Sequence, residues 1–157
     1  MRNNFIISLL FIFYFFSSEL LAENLKIKSS EVKLNKKDSS VILKGNIEAV
    51  DENNNTLKSD EAVYLKSEDL LSSIGLTSVT TSENYFFESS NIIFDNKNKI
   101  IKSDYPTKIV DPEGNVISVN MFNYNSIRNI LFSKGEIRLE DQNKNIYKFS
   151  QIYIDEK

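Results

Sequence analysis

Apolar side chains return along this chain every 30 positions. One column reads Val32, Ala62, Ile92, Phe122 and Ile152; two places on, another reads Leu34, Tyr64, Phe94, Tyr124 and Ile154. A third holds Ile27, Leu57, Phe87, Ile117 and Tyr147. Two more hold Val41, Leu71, Ile101, Leu131 and Ala49, Val79, Ile109, Leu139. All five columns are apolar in every copy although only 41% of the residues are hydrophobic, and the register needs no insertion. Within each copy apolar and polar positions alternate. Leu131, Ser133, Gly135, Ile137 and Leu139 share one side of an extended segment, and Phe132, Lys134, Glu136, Arg138 and Glu140 the other. The same alternation turns Val41, Leu43, Ile47 and Ala49 inward and Lys44, Asn46 and Glu48 outward. The pattern predicts strands over 25–34, 40–50, 56–65, 70–80, 85–95, 99–110, 115–125, 129–140 and 145–154.

Polar columns punctuate the strands at the same spacing. Asp51, Asp111 and Asp141 are each followed four places later by Asn55, Asn115 and Asn145, in the turn segments DENNN, DPEGN and DQNKN; TSENY is the weaker second copy. NKKDS, KSEDL, DNKNK and NSIRN form a second set half a period away. Turns of four or five polar residues about every 15 positions favour antiparallel hairpins over the coils of a parallel β-helix.

One irregularity predicts the architecture. The column at 27 is odd and those at 32 and 34 are even, so a strict period-2 strand would face them in opposite directions. Burying both requires a bulge or bend near 29–31, 59–61, 89–91 and 119–121. The intervening strands carry Gly45, Gly75 and Gly135 at their midpoints, where a bend costs least, with Tyr105-Pro106 the exception and a candidate irregular or edge strand. Each long strand then breaks in two and passes from one sheet to another. The expected fold is all-β: two facing antiparallel sheets built from a ~30-residue hairpin repeat, with an elongated apolar space between them. A flat meander with one buried face is the simpler alternative.

The N-terminus breaks the pattern. Arg2 precedes a run from Phe5 to Phe16 that is apolar except for Ser8. Twelve residues at about 1.5 Å each cannot span ~30 Å of hydrocarbon, whereas a signal-peptide core has this length. The expectation is a cleavable signal peptide over 1–22 and a mature domain over 23–157. An uncleaved anchor is the alternative. An exported chain without cysteine suits a bacterial periplasm and is not a lipoprotein.

Composition then removes most chemistry. There is no Cys and no His, which excludes disulfide frameworks, thiolate and imidazole metal sites, Cys nucleophiles and Ser-His-Asp triads. Four glycines leave no phosphate-cradling loop, so no cofactor is expected. A net charge of −3 gives no basis for phosphate neutralisation, so no nucleic-acid partner is expected. The carboxylates Asp60-Glu61, Glu68-Asp69 and Glu140-Asp141 fall in turns or on outward positions and read as solvated surface, not acid/base pairs. Lys36-Lys37 and Lys97–Lys99 read as turn charges, although they could meet lipid phosphates. The Asp/Asn turns lack the ligand set of a calcium loop. The chain is not expected to be an enzyme.

Val41–Asp51 (VILKGNIEAVD), Thr56–Tyr64 (TLKSDEAVY) and Ile92–Asp95 (IIFD) resemble the OstA/LptA-like family, the organic-solvent-tolerance N-terminal domain. Gly45-Asn46 matches its glycine step, and Ser59-Asp60-Glu61-Ala62 with Tyr64 its following strand. The likeness is diffuse and covers 23–157. It implies a twisted β-jellyroll in the periplasm of a Gram-negative cell, associated with the outer membrane, whose interior shields the acyl chains of lipopolysaccharide. The candidate trough residues are Val32, Leu34, Ile47, Tyr64, Val79, Ile92, Phe94, Ile109, Phe122, Tyr124, Leu139, Ile152 and Ile154. By packing alone such side chains contribute about 1.5–3 kcal/mol each, so core is the first account of any single one. The large residues Tyr64, Phe94, Phe122 and Tyr124 could fill the space and close it. Exposing one chain of a dozen carbons costs roughly 10 kcal/mol, which is what a shield must offset. The resemblance also implies partners: other jellyroll domains joined by edge-strand pairing, including head-to-tail self-association, and an outer-membrane translocon. Because the fifth copy stops at Lys157 just as a strand has begun, a second reading is the N-terminal part of an outer-membrane lipopolysaccharide-assembly protein. A third is an exported structural β-repeat protein that carries no lipid.

Overall fold

The computed structural model describes residues 25–35 and 39–155; the expected signal segment and Lys36-Lys37 lie outside these residues. Among the described residues thirteen antiparallel strands form one hydrogen-bonded ladder: β1 (Lys26–Lys28), β2 (Glu31–Asn35), β3 (Ser40–Val50), β4 (Thr56–Leu65), β5 (Leu70–Thr80), β6 (Phe86–Ser90), β7 (Ile93–Asp95), β8 (Ile100–Ser103), β9 (Thr107–Val110), β10 (Val116–Val119), β11 (Phe122–Asn125), β12 (Ile130–Glu140) and β13 (Ile146–Asp155). The ladder folds across its middle into two facing halves. In the first half β2, 40–44, 61–65, 70–74, β7, β8, β11, 130–134 and 151–155 follow one another. In the second half the order is β1, 47–50, 56–59, 76–80, β6, β9, β10, 137–140 and 146–149. Both halves run in chain order, and Phe87 of one packs on Phe122 of the other, which excludes the flat meander.

The breaks and register shifts fall where column parity and the glycine column predict them. β3, β4, β5, β12 and β13 cross the fold line unbroken, with register shifts between Lys44 and Ile47, Ser59 and Glu61, and Lys134 and Ile137. The segments expected over 25–34, 85–95, 99–110 and 115–125 are each cut in two, at 29–30, 91–92, 104–106 and 120–121. Gly45 shows why glycine marks the crossing. Its φ is +71°, and a Cβ there would stand 3.2 Å from Ser30 Cβ. In the third crossing the chain gives up pairing entirely, which is why Tyr105-Pro106 can replace glycine. The strand there is irregular as expected, but it is not an edge: β8 pairs with β7 and β11, and β9 with β6 and β10. Pro106 sits in the gap, where its missing N–H costs no ladder bond.

The turns repeat at the level of single dihedrals. Ser39, Asp69, Lys99 and Asn129 have φ between 49° and 57°, and Asn54, Asn84, Gly114 and Lys144 have φ between 64° and 87°. In the Asp–Asn turns one carboxylate closes the loop. Asp51 Oδ1 accepts from Asn53 N (2.9 Å) and Asn55 N (2.8 Å), and Oδ2 accepts from Asn55 Nδ2 (2.7 Å). Asp111–Asn115 and Asp141–Asn145 repeat the backbone and side-chain bonds from asparagine. These carboxylates bind turn donors, which is the structural reason for their spacing.

Each apolar column becomes a ladder row. Residues opposite one another in antiparallel strands share a face. The second half carries Ile27, Ala49, Leu57, Val79, Phe87, Ile109, Ile117, Leu139 and Tyr147 as consecutive partners. The first carries Leu34, Val41, Tyr64, Leu71, Phe94, Ile101, Tyr124, Leu131 and Ile154. The two rows face each other and, apart from the end members Leu34 and Tyr147, belong to the core.

Candidate functional site

The interior between the two halves is the place the sequence singles out, and it changes character along its length. Ile47, Tyr64, Val79, Ile92, Phe94, Ile109, Phe122 and Tyr124 are buried. Leu139, Ile152 and Ile154 are partly buried at the C-terminal end. Val32 and Leu34, at the N-terminal end, are 64% and 61% exposed although they stand opposite Leu43 and Val41 on the inward face. The reason is the number of neighbours. Among the described residues β1 and β2 each pair only with β3, and β13 only with β12, so the end rows have cover on one side alone.

The expected elongated space is therefore corrected. Rings from opposite halves fill its centre: Phe87 lies on Phe122 with centroids 4.6 Å apart and planes at 19°, and meets Tyr124 at 5.6 Å. Tyr85 adds contacts to Phe87 (6.0 Å) and Tyr124 (5.8 Å). Among the described residues the interior stays open at two mouths. The N-terminal mouth is a hollow of about 500 Å³ lined by Leu25, Ile27, Val32, Val41, Leu43 and Tyr64, with Lys28 and Ser29 at its rim. At the C-terminal end Tyr147 and Phe149 face inward opposite Leu139 and Ile137 yet are nearly half exposed. Two further hollows, of about 550 and 470 Å³, lie along the fold line and are lined mainly by hydroxyl and charged groups, a poor setting for hydrocarbon.

A polar cluster braces the N-terminal mouth. Asp69 Oδ1 accepts from Tyr64 Oη (2.7 Å) and Leu25 N (3.3 Å), and Oδ2 accepts from Asn96 Nδ2. Lys99 Nζ binds Asn96 Oδ1 (2.9 Å) and Glu52 (2.8 Å), which ties the turn to its opposite number in the other half. Burial, and then the bond to Asp69, push the Tyr64 phenol well above its ordinary value, so it stays neutral. The sequence pattern places Asp69 in a solvated pair. The turn position is correct, but the carboxylate is inside the brace, because the left-handed φ of 49° at Asp69 belongs to a turn that sits against the mouth. The other outward charges behave as expected: Lys28, Glu48 and Lys58 alternate across three strands at 3.4 and 3.9 Å in solvent.

A second set of residues escapes the apolar columns altogether. Ser73, Ser103 and Ser133, Ser59 and Ser89, and Thr77 and Thr107 stand 30 apart and are buried along the fold line. Beside the strand breaks these hydroxyls donate to backbone carbonyls, and Ile92 O and Gly75 O also accept from Ser73 N (2.9 Å) and Asn91 N (3.2 Å). Ser73, Ser103 and Ser133 donate to Ile92 O, Ser90 O and Met121 O, and Thr77 and Thr107 to Gly75 O and Tyr105 O. Their spacing is visible in the sequence; their role needs the bend.

No protein-family model and no curated protein matches the sequence. Among solved structures the fold is similar to LptH from Pseudomonas aeruginosa, with a TM-score of 0.62 and 11% identity over 81% of this chain and 94% of that one. LptH is described as the LptA-homologous periplasmic component of the conserved lipopolysaccharide transport device. The shared feature is the LptA-like jellyroll.

Proposed function

We propose that this chain is a periplasmic component of lipopolysaccharide transport, a non-catalytic bridge that shields lipid acyl chains between two membranes. The observation that carries the proposal is the N-terminal mouth. It is an apolar opening between two sheets, continuous with the core and, among the described residues, uncovered. A soluble protein gains nothing from exposing Val32 and Leu34, whereas an acyl chain seated on them recovers about 0.8 kcal/mol for each CH₂ withdrawn from water. The jellyroll fold shared with LptH supports the same assignment.

The open edges suit the proposed partners. β1–β2 and β13 both run from the second half of the ladder to the first. A second jellyroll could therefore continue both halves at once by pairing its first strands with β13, in parallel. Such a joint would also cover Tyr147 and Phe149, and its partner is either another copy or the jellyroll domain of an outer-membrane translocon. The exposed C-terminal row equally suits the second reading, in which this domain is the N-terminal part of an assembly protein.

The test is photocrosslinking with p-benzoylphenylalanine at Val32 and Leu34, where exposure leaves the fold undisturbed, in the presence of purified lipopolysaccharide. Adducts are expected at both. Their absence, with adducts formed by an established bridge protein in parallel, overturns the proposal in favour of a β-repeat protein that carries no lipid.

A further inference from the structure

Tyr85 departs from the repeat at a position where departure is costly. In three copies this place holds the turn asparagine, whose side chain donates to an aspartate four residues earlier. In the second copy both partners differ: Thr81 stands for the aspartate and Tyr85 for the asparagine. The turn survives because Thr81 Oγ1 accepts from Tyr85 N (3.1 Å) and Thr81 N donates to Tyr85 O (2.9 Å). The hydroxyl thus performs the backbone part of the aspartate's task, and the side chain at 85 is released from it. That side chain is 1% exposed and packs on Phe87 and Tyr124.

The same departure runs through the neighbouring columns. Position 87 is Phe where other copies have Leu57 and Ile117, and position 122 is Phe where others have Ala62 and Ile92. Large aromatic residues of three columns thus meet at one level of the body, from opposite halves. An alkyl chain needs about 3.5–4.0 Å to the carbon atoms on each side of it. Rings with centroids 4.6 Å apart leave no such gap, and a close-packed interior does not yield one without moving side chains.

We infer that Tyr85, Phe87, Phe122 and Tyr124 form a partition that divides the interior into two separate end sites, so that an acyl chain enters a mouth end-on and stops at the stack. This rests on the lipid-shielding role proposed above and specifies it. The body is not an open slot along which a chain slides from one end to the other. Lipid handed along a series of such domains would instead be held at the joints, where the N-terminal mouth of one meets the C-terminal mouth of the next.

The experiment uses unmodified protein and a lipid A whose acyl chains end in a diazirine, with labelled residues mapped by peptide mass spectrometry. Labels are expected on β1–β4 and on β12–β13, and none on β6–β11. Labels on Ile101, Ile109 or Ile117 overturn the partition and leave the lipid-carrier role standing. Labelling that unlabelled lipid A fails to compete away at either end overturns the carrier role, and the partition with it. A second protein, Phe87→Leu/Phe122→Ala, places at each position a residue that other copies carry in the same column. If it folds by circular dichroism, labels are expected to spread onto β9–β11; labels still confined to the ends overturn these rings as the barrier. If it does not fold, the map on the unmodified protein decides.

Discussion

Phe87 on β6 and Phe122 on β11 stack across the interior with ring centroids 4.6 Å apart and planes at 19°. They come from different halves of the folded ladder and lie 35 positions apart, so neither strand pairing nor the repeat brings them together. They join the two halves at the middle of the body. Phe87→Ala and Phe122→Ala are each expected to lower the unfolding free energy by about 3–5 kcal/mol, read from chemical denaturation. A loss under about 1 kcal/mol would mean that the centre is loosely packed.

The three Asp–Asn turns use the same bonds in different surroundings. Asp51 and Asn55 are buried, Asp111 and Asn115 half-buried, and Asn145 exposed. Asp51→Ala is expected to cost about 1–3 kcal/mol because buried donors lose their acceptor. Asp111→Ala should cost less and Asp141→Ala least, as read from thermal midpoints. Hydrogen bonds from Asn145 hold the Asp141 carboxyl below its ordinary value, and those from Arg138 and Lys144 do the same for Glu140. Both therefore contribute stability that is present above the ordinary carboxylate range and is lost as pH falls through their folded values. The midpoint should drop on acidification, and less so in Asp141→Asn.

At the fold line, Ser133→Ala removes a buried hydroxyl that donates to Met121 O at 2.7 Å. The expected cost is about 1–3 kcal/mol in denaturation. Hydrogen exchange at the 120–121 crossing should accelerate relative to the centres of β10 and β11. An unchanged pattern would show that the hydroxyl does not support the bend.

Tyr64 predicts an alkaline limit. Its folded value is raised from 10.0, so the unfolded chain ionises first. The stability it contributes is complete below about pH 10 and is lost as pH rises further. Tyr64→Phe should unfold less steeply with pH above that point, while losing at neutral pH the bond to Asp69. Parallel alkaline melts of the two proteins measure both effects.

Val32 and Leu34 separate function from fold. Val32→Glu/Leu34→Glu should change stability by no more than about 1 kcal/mol, because both positions are already exposed on a sheet edge. The same change places carboxylates where an acyl chain would have to desolvate them, so photolabelling of β1–β4 by the diazirine lipid should be lost. Labelling equal to that of the unmodified protein would remove these residues from the mouth.

Much of the fold is legible in the order of residues alone. The strands expected at 40–50, 56–65 and 70–80 coincide with β3, β4 and β5, since hairpin turns and period-2 alternation are local signals. The breaks near 30, 60, 90 and 120 follow from the parity of three columns, and the others from the glycine column. Other features stay hidden for particular reasons. Asp69 looks like any turn carboxylate until Tyr64 and Leu25 are seen to converge on it. Tyr85 looks like part of a weak turn, because a turn segment offers no hint that its last side chain points into the core. Val32 and Ile92 share a column and differ completely in exposure, since the repeat says nothing about which copies have neighbours on both sides.

Local chemistry along the chain thus dictates the strands, the turns between them, the two-faced bend and the rows that face inward. These follow from steric and hydrogen-bonding rules that act over a few residues, and the 30-residue period repeats them. Where the interior is open and where it is shut is settled in three dimensions. It depends on how far apart two halves of one ladder stand and on which rings meet between them, and close packing across the interior is not written in any single strand.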